Sequence, residues 1–341
     1  MKRIARTAAA AGLAVGLAAA PSAWAQDTVE IGAVTPLSGK LSVYGVGFQK
    51  AMLAAAKVIN DKGGIGGKKL VIRFEDNGST AQGSVAAIQK LISVAKVPVI
   101  FGPAASTNFL AVCPIAQNAK VILISAESAA AKISQCGSYT FRVFPSDALQ
   151  GKGVAKLVKD LGKTSVALTY ISNDWGVGLA DVFKKAYLAA GGVTLTYVRE
   201  AGPFLKQAKQ AGFKPQWIMA SAARSPKLVE LAGGDAADGV IGTYPKVPRD
   251  AAPFKAYADA FKAAYPKDKL PIFGGYNWDM VMVAAKAIGM AKAYNADAVR
   301  AALPAAGKAY DGATGNKTFD ANGDVVDATY GAWTIKGGKL V

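Results

Sequence analysis

The stretch 97-VPVIFGPAASTNFLAV-112 decides the fold class of this chain. Its first part, residues 97–101, is apolar, which is typical of a strand buried on both faces. A Gly102-Pro103 turn follows, and then a polar run from Ser106 to Asn108 whose three residues are each favourable N-caps for a helix beginning there. Such a strand–turn–helix unit places free backbone N–H groups at the carboxyl edge of a sheet, where an anionic or polar group can bind. The alternative is a plain connection whose serine only caps its own helix.

The rest of the chain alternates strands with helices in the same way. Apolar runs predict strands, and helical spacing of apolar residues predicts helices between them. The strands are predicted at 29–34, 69–75, 97–101, 121–125, 165–171, 193–199, 216–220 and 239–244, and the helices at 47–60, 81–94, 106–118, 148–161, 177–190, 204–211, 225–232, 253–265, 278–294 and 297–303. This alternation predicts an α/β fold with parallel sheets and right-handed crossovers. A hairpin is predicted at Asn322-Gly323 near the C-terminus.

Residues 1–25 have the features of a secretory signal peptide. Basic residues open the segment, an apolar run occupies residues 8–20, and Ala23-Trp24-Ala25 is a small-residue cleavage site. The apolar run is too short to span a bilayer. The sequence therefore predicts cleavage after Ala25, a mature chain that starts at Gln26, and export to the periplasm.

Composition favours a folded chain and argues against nucleic-acid binding and against histidine-based catalysis. The apolar fraction of 52% excludes a disordered chain, and 341 residues less the signal segment suffice for two domains. The net charge is +17, but the lysines are scattered through predicted helices, so we interpret the charge as a solvated surface. The chain contains no histidine and no G-x-S-x-G motif, and we expect neither an enzyme nor a bound cofactor or metal.

The sequence contains two cysteines, Cys113 and Cys136. An oxidising compartment would let them form a disulfide. The alternative is a pair of buried free thiols.

The order of elements and several short motifs resemble the type I periplasmic binding proteins, in particular the branched-chain amino acid-binding family of ABC importers. The resemblance covers essentially all of the mature chain. Its most specific pieces are Ile31-Gly32 with Pro36-Leu37-Ser38-Gly39 and Tyr44-Gly45, the run Ile59-Asn60-Asp61-Lys62-Gly63-Gly64-Ile65, Phe101-Gly102 with Ser106-Thr107, Ile124-Ser125, Tyr139-Thr140-Phe141-Arg142, Asn173-Asp174-Trp175-Gly176, and Leu231-Ala232-Gly233-Gly234 with Gly239-Val240.

The family implies two Rossmann-like lobes joined by three crossings that act as a hinge and close on a ligand. The first lobe would comprise residues 26–143 and 248–327, and the second lobe residues 144–247 and 328–341. The resemblance also implies that Ser106 and the backbone at Ala104 hold a ligand carboxylate. The full set of ligand contacts that it implies is Tyr44, Ala104, Ala105, Ser106, Thr107, Ser125, Glu127, Ser128, Ala129, Trp175, Ser221 and Tyr276.

Two positions, Ala129 and Ser221, depart from the family pattern. Ala129 aligns with a threonine that often contacts the carboxylate. Ser221 aligns with an acidic residue that pairs with the ligand ammonium, and Arg224 follows three residues later. A neutral residue at position 221 favours a carboxylate without an amine, an aromatic one for example, or a polar neutral ligand. Arg224 could bind a carboxylate in bidentate fashion, or it could be a solvated surface residue.

The second lobe is also predicted to be one helix–strand unit short. After Ala201-Gly202 about 30 residues of the family pattern are missing, including a strand whose end supplies an aromatic residue to the cleft. We expect a gap or a changed strand order in the second lobe.

Taken together, the sequence predicts the periplasmic solute-binding component of an ABC importer, which delivers a small carboxylate-bearing solute to a membrane permease. Branched-chain or other amino acids are the first ligands to consider. The alternatives are a binder of aromatic or short-chain carboxylates or amides, a ligand sensor of the same fold, and a shortened, weak binder.

Overall fold

A computed structural model of the chain describes residues 28–192, 194–199, 212, 216–224, 226–326 and 328–341. The predicted signal peptide and the predicted helix 204–211 lie outside these residues. The helices are α1 Ser42–Asp61, α2 Ala81–Ser93, α3 Ser106–Asn118, α4 Asp147–Asp160, α5 Asp174–Ala189, α6 Pro226–Ala232, α7 Gly234–Ala237, α8 Ala252–Ala264, α9 Gly274–Met290 and α10 Ala296–Lys308, with short 3₁₀ helices at Ala131–Gln135 and Ser221–Ala223. The strands are β1 Thr28–Thr35, β2 Lys69–Asp76, β3 Val99–Phe101, β4 Ile122–Ser125, β5 Thr140–Arg142, β6 Ser165–Tyr170, β7 Thr194–Arg199, β8 Ile218–Met219, β9 Ile241–Pro245, β10 Asp311–Gly312, β11 Gly315–Asn316, β12 Tyr330–Lys336 and β13 Lys339–Leu340.

The first lobe is built on a five-stranded sheet with the order β2-β1-β3-β4-β5. Every neighbouring pair in it is parallel, as predicted from the alternation of strands and helices. The short strands β3 and β4 are buried along their whole length, because helices cover both faces of the sheet. The carboxyl ends of these strands therefore meet at one edge, which is where the candidate site lies.

The turn between β3 and α3 depends on Gly102. Its φ of +80° lies in the left-handed region, and a Cβ there would come within 2.3 Å of the Val34 carbonyl oxygen. The Gly102 N–H donates to the Ile124 carbonyl at 2.8 Å, which ties the turn to β4. Only glycine lets the backbone pass this close to β1, so the turn brings the start of α3 to the sheet edge.

Helix α9 forms the centre of the first-lobe core and lies between α1 and α10. Buried residues surround α9 on nearly every side, from Gly274 to Ile288. α1 packs against it with a buried stripe that includes Phe48, Met52 and Ala55, which agrees with the predicted apolar face. Since α9 begins at Gly274, Tyr276 lies in its first turn and not in the loop that the sequence had predicted.

The described strands of the second lobe form two separate sheets. β6 pairs with β7, and the other sheet has the order β13-β12-β9-β8. β8 and β6 are not paired among the described residues, and the missing helix–strand unit stays a prediction. Ile218 of β8 and the β6 residues Val166 and Leu168 pack against the same apolar cluster.

Three further features test the sequence-based expectations. Cys113 and Cys136 form a disulfide, which is the first of the two alternatives for this pair. Helix α1 begins at Ser42, so Tyr44 lies in its first turn and not in a loop. Helix α3 has the predicted bounds, but its N-cap is Ala105, and the prediction that a residue of the run 106–108 caps the helix was wrong.

Candidate functional site

The N-terminus of α3 has no side-chain cap. Its N-cap residue, Ala105, has an extended conformation and supplies no side-chain acceptor. The first helical hydrogen bond runs from the Phe109 N–H to the Ala105 carbonyl, so the N–H groups of the first turn have no acceptor within the helix. The Thr107 hydroxyl and the Asn108 amide nitrogen, both buried, likewise have no partner in the described part of the chain. The start of α3 is therefore rich in unused donors and carries the positive end of the helix dipole.

Ser106 connects this helix to the loop after β4. The buried Ser106 Oγ accepts hydrogen bonds from the N–H groups of Ala129 at 3.2 Å and Ala130 at 3.1 Å. A serine hydroxyl has two acceptor lone pairs and one donor, so both lone pairs are occupied and the proton remains available to an anion. Ser106 can therefore hold the loop and donate to a ligand at the same time.

The two other serines of this region have structural partners. The buried Ser128 Oγ lies 2.9 Å from the carbonyl oxygens of both Pro103 and Ala104, which share its one proton. The Ser125 Oγ accepts from the N–H groups of Glu127 and Ser128. Their geometry shows that both hydroxyls shape the two loops. Among the predicted contacts, Ala104, Ala105, Ser106, Thr107 and Ala129 are brought together with them at the sheet edge.

Glu127 is an acidic residue in the loop after β4, and its surroundings are mostly apolar. It lines a small cavity whose other walls are mostly apolar, among them Val34, Phe48, Phe101 and Met280. Burial raises the pKa of the Glu127 carboxyl to about 8, although the Asn277 amide donates a hydrogen bond to it and partly opposes that rise. Glu127 is therefore a protonated, neutral hydrogen-bonding group at pH 7 and not a partner for a cation.

We expect the raised pKa of Glu127 to make folding stability fall as pH rises. Between about pH 4.5 and 8 the folded state holds a proton that the unfolded state has lost, so the free energy of unfolding declines by up to about 1.4 kcal/mol per pH unit. Urea unfolding at pH 5, 6, 7 and 8 measures this slope. In Glu127→Gln, which keeps an acceptor for Asn277, the slope should be smaller and the stability at pH 8 higher than in the wild type. Equal slopes in both proteins would contradict the assignment.

Aromatic residues surround the loops on the side away from the sheet. The Phe144 ring lies 4.8 Å from the Tyr276 ring, centroid to centroid, in an edge-on arrangement. Trp175, in the first turn of α5, is half-buried and packs against the first-lobe core. Tyr44 stacks on Phe48 at 6.5 Å. Of the predicted contacts, Trp175 and Tyr276 therefore pack with the first-lobe core, and Tyr44 packs along α1.

Ser221 is engaged in a contact that the sequence did not predict. It is buried, and its Oγ donates to the Gln150 Oε1 of α4 at 2.6 Å. The Gln150 amide nitrogen is buried without a partner in the described chain. Ser221 therefore joins the end of β8 to α4 through a neutral pair, in the place where relatives with an acidic residue would have a charge.

Asp147 is the site residue that sequence analysis missed. Its side chain is fully buried, and neither carboxylate oxygen has a well-formed hydrogen bond among the described residues, although the Trp175 indole interacts with the carboxyl. Burial raises the pKa of this carboxyl to about 7, while the Arg142 charge and the interaction with the Trp175 indole oppose that rise. The Asp147 backbone N–H donates to the Ala129 carbonyl at 2.7 Å, so the residue lies directly beside the loop that Ser106 holds. The only signal for it in the sequence was its place directly after Ser146, a favourable N-cap residue, at the start of the predicted helix 148–161.

The described residues contain neither a cluster of metal ligands nor a helix that could span a membrane. No group of three or more cysteine, aspartate or glutamate side chains is placed to hold a metal ion. Across the same part of the chain, the helices fall short of the length and apolarity needed to cross a membrane.

The chain is similar to known solute-binding proteins. The sequence profile of the periplasmic binding protein family matches residues 28–200 and 192–339. The chain is 27% identical over 333 residues to a leucine-, isoleucine-, valine-, threonine- and alanine-binding protein of Pseudomonas aeruginosa, which covers 88% of each chain.

Solved structures show the same fold. A branched-chain amino acid transporter substrate-binding protein from Streptococcus pneumoniae, solved in complex with isoleucine, superposes with a TM-score of 0.80 at 25% identity, over 92% of this chain and 98% of that one. A leucine-binding protein from Thermotoga maritima gives a TM-score of 0.83 at 23% identity, over 92% and 97% of the two chains. The profile match extends across nearly the whole described chain, and the fold is that of the type I proteins. This chain therefore belongs to the periplasmic binding protein family, a family of solute-binding proteins and not of enzymes.

Proposed function

We propose that the protein is the solute-binding component of an ABC importer. It binds a small carboxylate-bearing solute between its lobes, an α-amino acid in the first instance, and delivers the solute to the membrane permease. The observation that carries this proposal is the uncapped start of α3 with the free Ser106 hydroxyl proton. Several aligned donors and a helix dipole suit an anion, and no catalytic group is needed for reversible binding.

Asp147 supports an amino acid over a carboxylate without an amine. A fully buried carboxyl whose only neighbouring side-chain donor among the described residues is the Trp175 indole is costly unless a ligand supplies further donors. A ligand ammonium beside the Ser106 loop would supply the missing donors, and its charge would lower the pKa of Asp147 so that the carboxyl ionises. Asp147 would then take the role that an acidic residue at position 221 has in relatives, since Ser221 is already paired with Gln150.

The relatives support the same ligand class. The matched Pseudomonas aeruginosa protein is named for binding leucine, isoleucine, valine, threonine and alanine, and the Streptococcus pneumoniae structure contains isoleucine. We propose by analogy that the chain functions in the periplasm after cleavage behind Ala25, with a lobe boundary near residues 143–144, 247–248 and 327–328.

A thermal-shift panel tests the proposal. It should contain aliphatic, aromatic and acidic amino acids, the matching acids without an amine, short carboxylates and amides. A ligand at 100 times its Kd stabilises the folded state by about 2.7 kcal/mol, which raises Tm by several degrees. A shift with amino acids but not with their deaminated analogues supports the role of Asp147. A well-folded sample that responds to no member of the panel would instead favour a shortened chain that no longer binds.

Ser106→Ala is expected to weaken binding of a carboxylate solute by about 1–3 kcal/mol, or roughly 5- to 150-fold in Kd. The substitution removes the donor to the ligand and leaves two loop N–H groups without their acceptor. Isothermal titration calorimetry on the folded variant measures the change. Ser93→Ala, at the exposed end of α2, is the matched control and should bind as the wild type does. An unchanged Kd in Ser106→Ala would place the site elsewhere.

A further inference from the structure

A cavity of about 310 Å³ lies beside Tyr276 and is lined by residues of both lobes. Its size is at the lower end of the roughly 300–1,000 Å³ typical of ligand pockets, which suits part of a small solute. Residues from widely separated segments line it, among them Arg224, Tyr244, Arg249, Tyr257, Tyr276 and Thr314.

The charged groups of this cavity are all cationic. The Arg224 guanidinium lies 4.9 Å from the centroid of the Tyr244 ring, and the Arg249 guanidinium lies 5.4 Å from that of Phe254. Neither arginine forms an ion pair within the described residues, and no aspartate or glutamate lines the cavity. Stacking on a ring holds a guanidinium flat and leaves its N–H edge free, which is the edge that binds a carboxylate in bidentate fashion.

A buried hydroxyl in the cavity wall lacks a hydrogen-bond partner. Tyr257 is 1% exposed, yet its hydroxyl has no hydrogen-bond partner in the described chain. This hydroxyl lies over Gly274, where a Cβ would come within 2.1 Å of its oxygen, so the glycine makes room for it. A buried hydroxyl without a partner and two guanidinium groups without ion pairs line the same cavity, which indicates that an anionic acceptor completes it.

The first turn of α9 connects this cavity to the Ser106 site. Gly275 and Tyr276 line the cavity, while the next residue, Asn277, donates to Glu127 in the loop that carries Ala129. Adjacent residues of a single helical turn therefore border both places. A solute whose carboxylate is held at Ser106 would extend past Tyr276 toward the arginines.

We propose that the cavity is a subsite for a second anionic group of the solute, so that the preferred ligand carries two carboxylates. Arg224 is the main contact because it is half-buried, and Arg249, which is exposed, has a smaller role. This inference rests on the proposed function, since the first carboxylate is the one held at Ser106. It also explains why the residue after β8 that relatives use for an ammonium is neutral here while an arginine follows it at position 224.

Calorimetry with ligand pairs of equal length tests the proposal. The pairs are aspartate and asparagine, glutamate and glutamine, and glutarate and pentanoate. In at least one pair the wild type should bind the member with two carboxylates at least 10-fold more tightly. Arg224→Met should abolish that preference with little change for the member with one carboxylate, while Arg224→Lys, which keeps the charge, should retain part of the preference. Arg73→Met removes an exposed arginine of β2, far from the cavity, and is the control for net charge.

The outcomes separate the two claims. If the wild type binds both members of every pair equally well and Ser106→Ala weakens all ligands, the subsite is wrong and the proposed function stands. If a preference for the member with two carboxylates survives in both Arg224→Met and Arg249→Met, each with a native circular dichroism spectrum, that result overturns the subsite as well. If no carboxylate binds, the proposed function fails and the subsite fails with it.

Discussion

Arg142→Met is expected to lower the free energy of unfolding by about 3–5 kcal/mol, among the largest single effects in this protein. The Arg142 guanidinium is fully buried, and it donates from Nε to the Asp324 Oδ1 at 2.6 Å and from Nη2 to the Oδ2 at 2.9 Å. It also donates to the Ala130 carbonyl at 2.9 Å and to the Ser134 Oγ at 2.8 Å. The methionine would fill some of the volume but would leave the Asp324 carboxylate buried without its counter-charge.

Chemical denaturation measures this cost. Lys57→Met removes a cation from an i,i+4 pair with Asp61 whose side chains are 64% and 59% exposed, and it should cost less than about 1 kcal/mol. The double variant Arg142→Met/Asp324→Leu should regain part of the loss, because both charges are then absent. A loss of under 1 kcal/mol in Arg142→Met would show that the pair does not hold β5 to the 324 segment. Ligand affinity should fall too, since Ala130 is one of the two N–H donors to Ser106.

Asp279→Asn is expected to lower the free energy of unfolding by a similar amount, about 3–5 kcal/mol. It should also loosen the wall of the cavity that Arg224 and Arg249 line. The fully buried Asp279 carboxylate accepts from the Tyr310 hydroxyl at 2.9 Å and from the N–H groups of Ala313 at 2.7 Å and Thr314 at 2.8 Å. Lys317, also buried, lies 3.4 Å from it. An asparagine has one acceptor oxygen in place of two and no charge, so Lys317 would be buried without a counter-ion.

The pH dependence of this variant provides a second readout. Burial lowers the pKa of Lys317, and the Asp279 charge opposes that shift, so the pKa should fall further in Asp279→Asn. Above the lowered pKa and below the ordinary value of 10.5, the unfolded state holds a proton that the folded state lacks. The variant should therefore recover stability as pH rises toward 10, more steeply than the wild type does. Urea titrations at pH 7 and 9.5 compare the two proteins, and parallel curves would contradict an unpaired Lys317.

The local sequence predicted the elements of the first lobe well. Helix α3 has its predicted bounds, because the turn at Gly102 and the apolar periodicity that follows are local signals. The two aromatic contacts Tyr44 and Tyr276 were expected in loops and lie in the first turns of α1 and α9. Neither helix has a side-chain cap hydrogen bond at its start, so no local signal marked where it began.

The candidate site shows where local prediction ends. The sequence alone determined a parallel α/β fold and a donor-rich turn at Ser106, because strand and helix periods and glycine turns are properties of short segments. Only the tertiary structure decided that Ser106 holds the loop at Ala129, that the Asp147 carboxyl is buried beside that loop and that Arg224 and Arg249 share one cavity. These facts depend on segments that meet across the chain, as Arg142 and Asp324 do over 182 residues, and no periodicity records which of them meet.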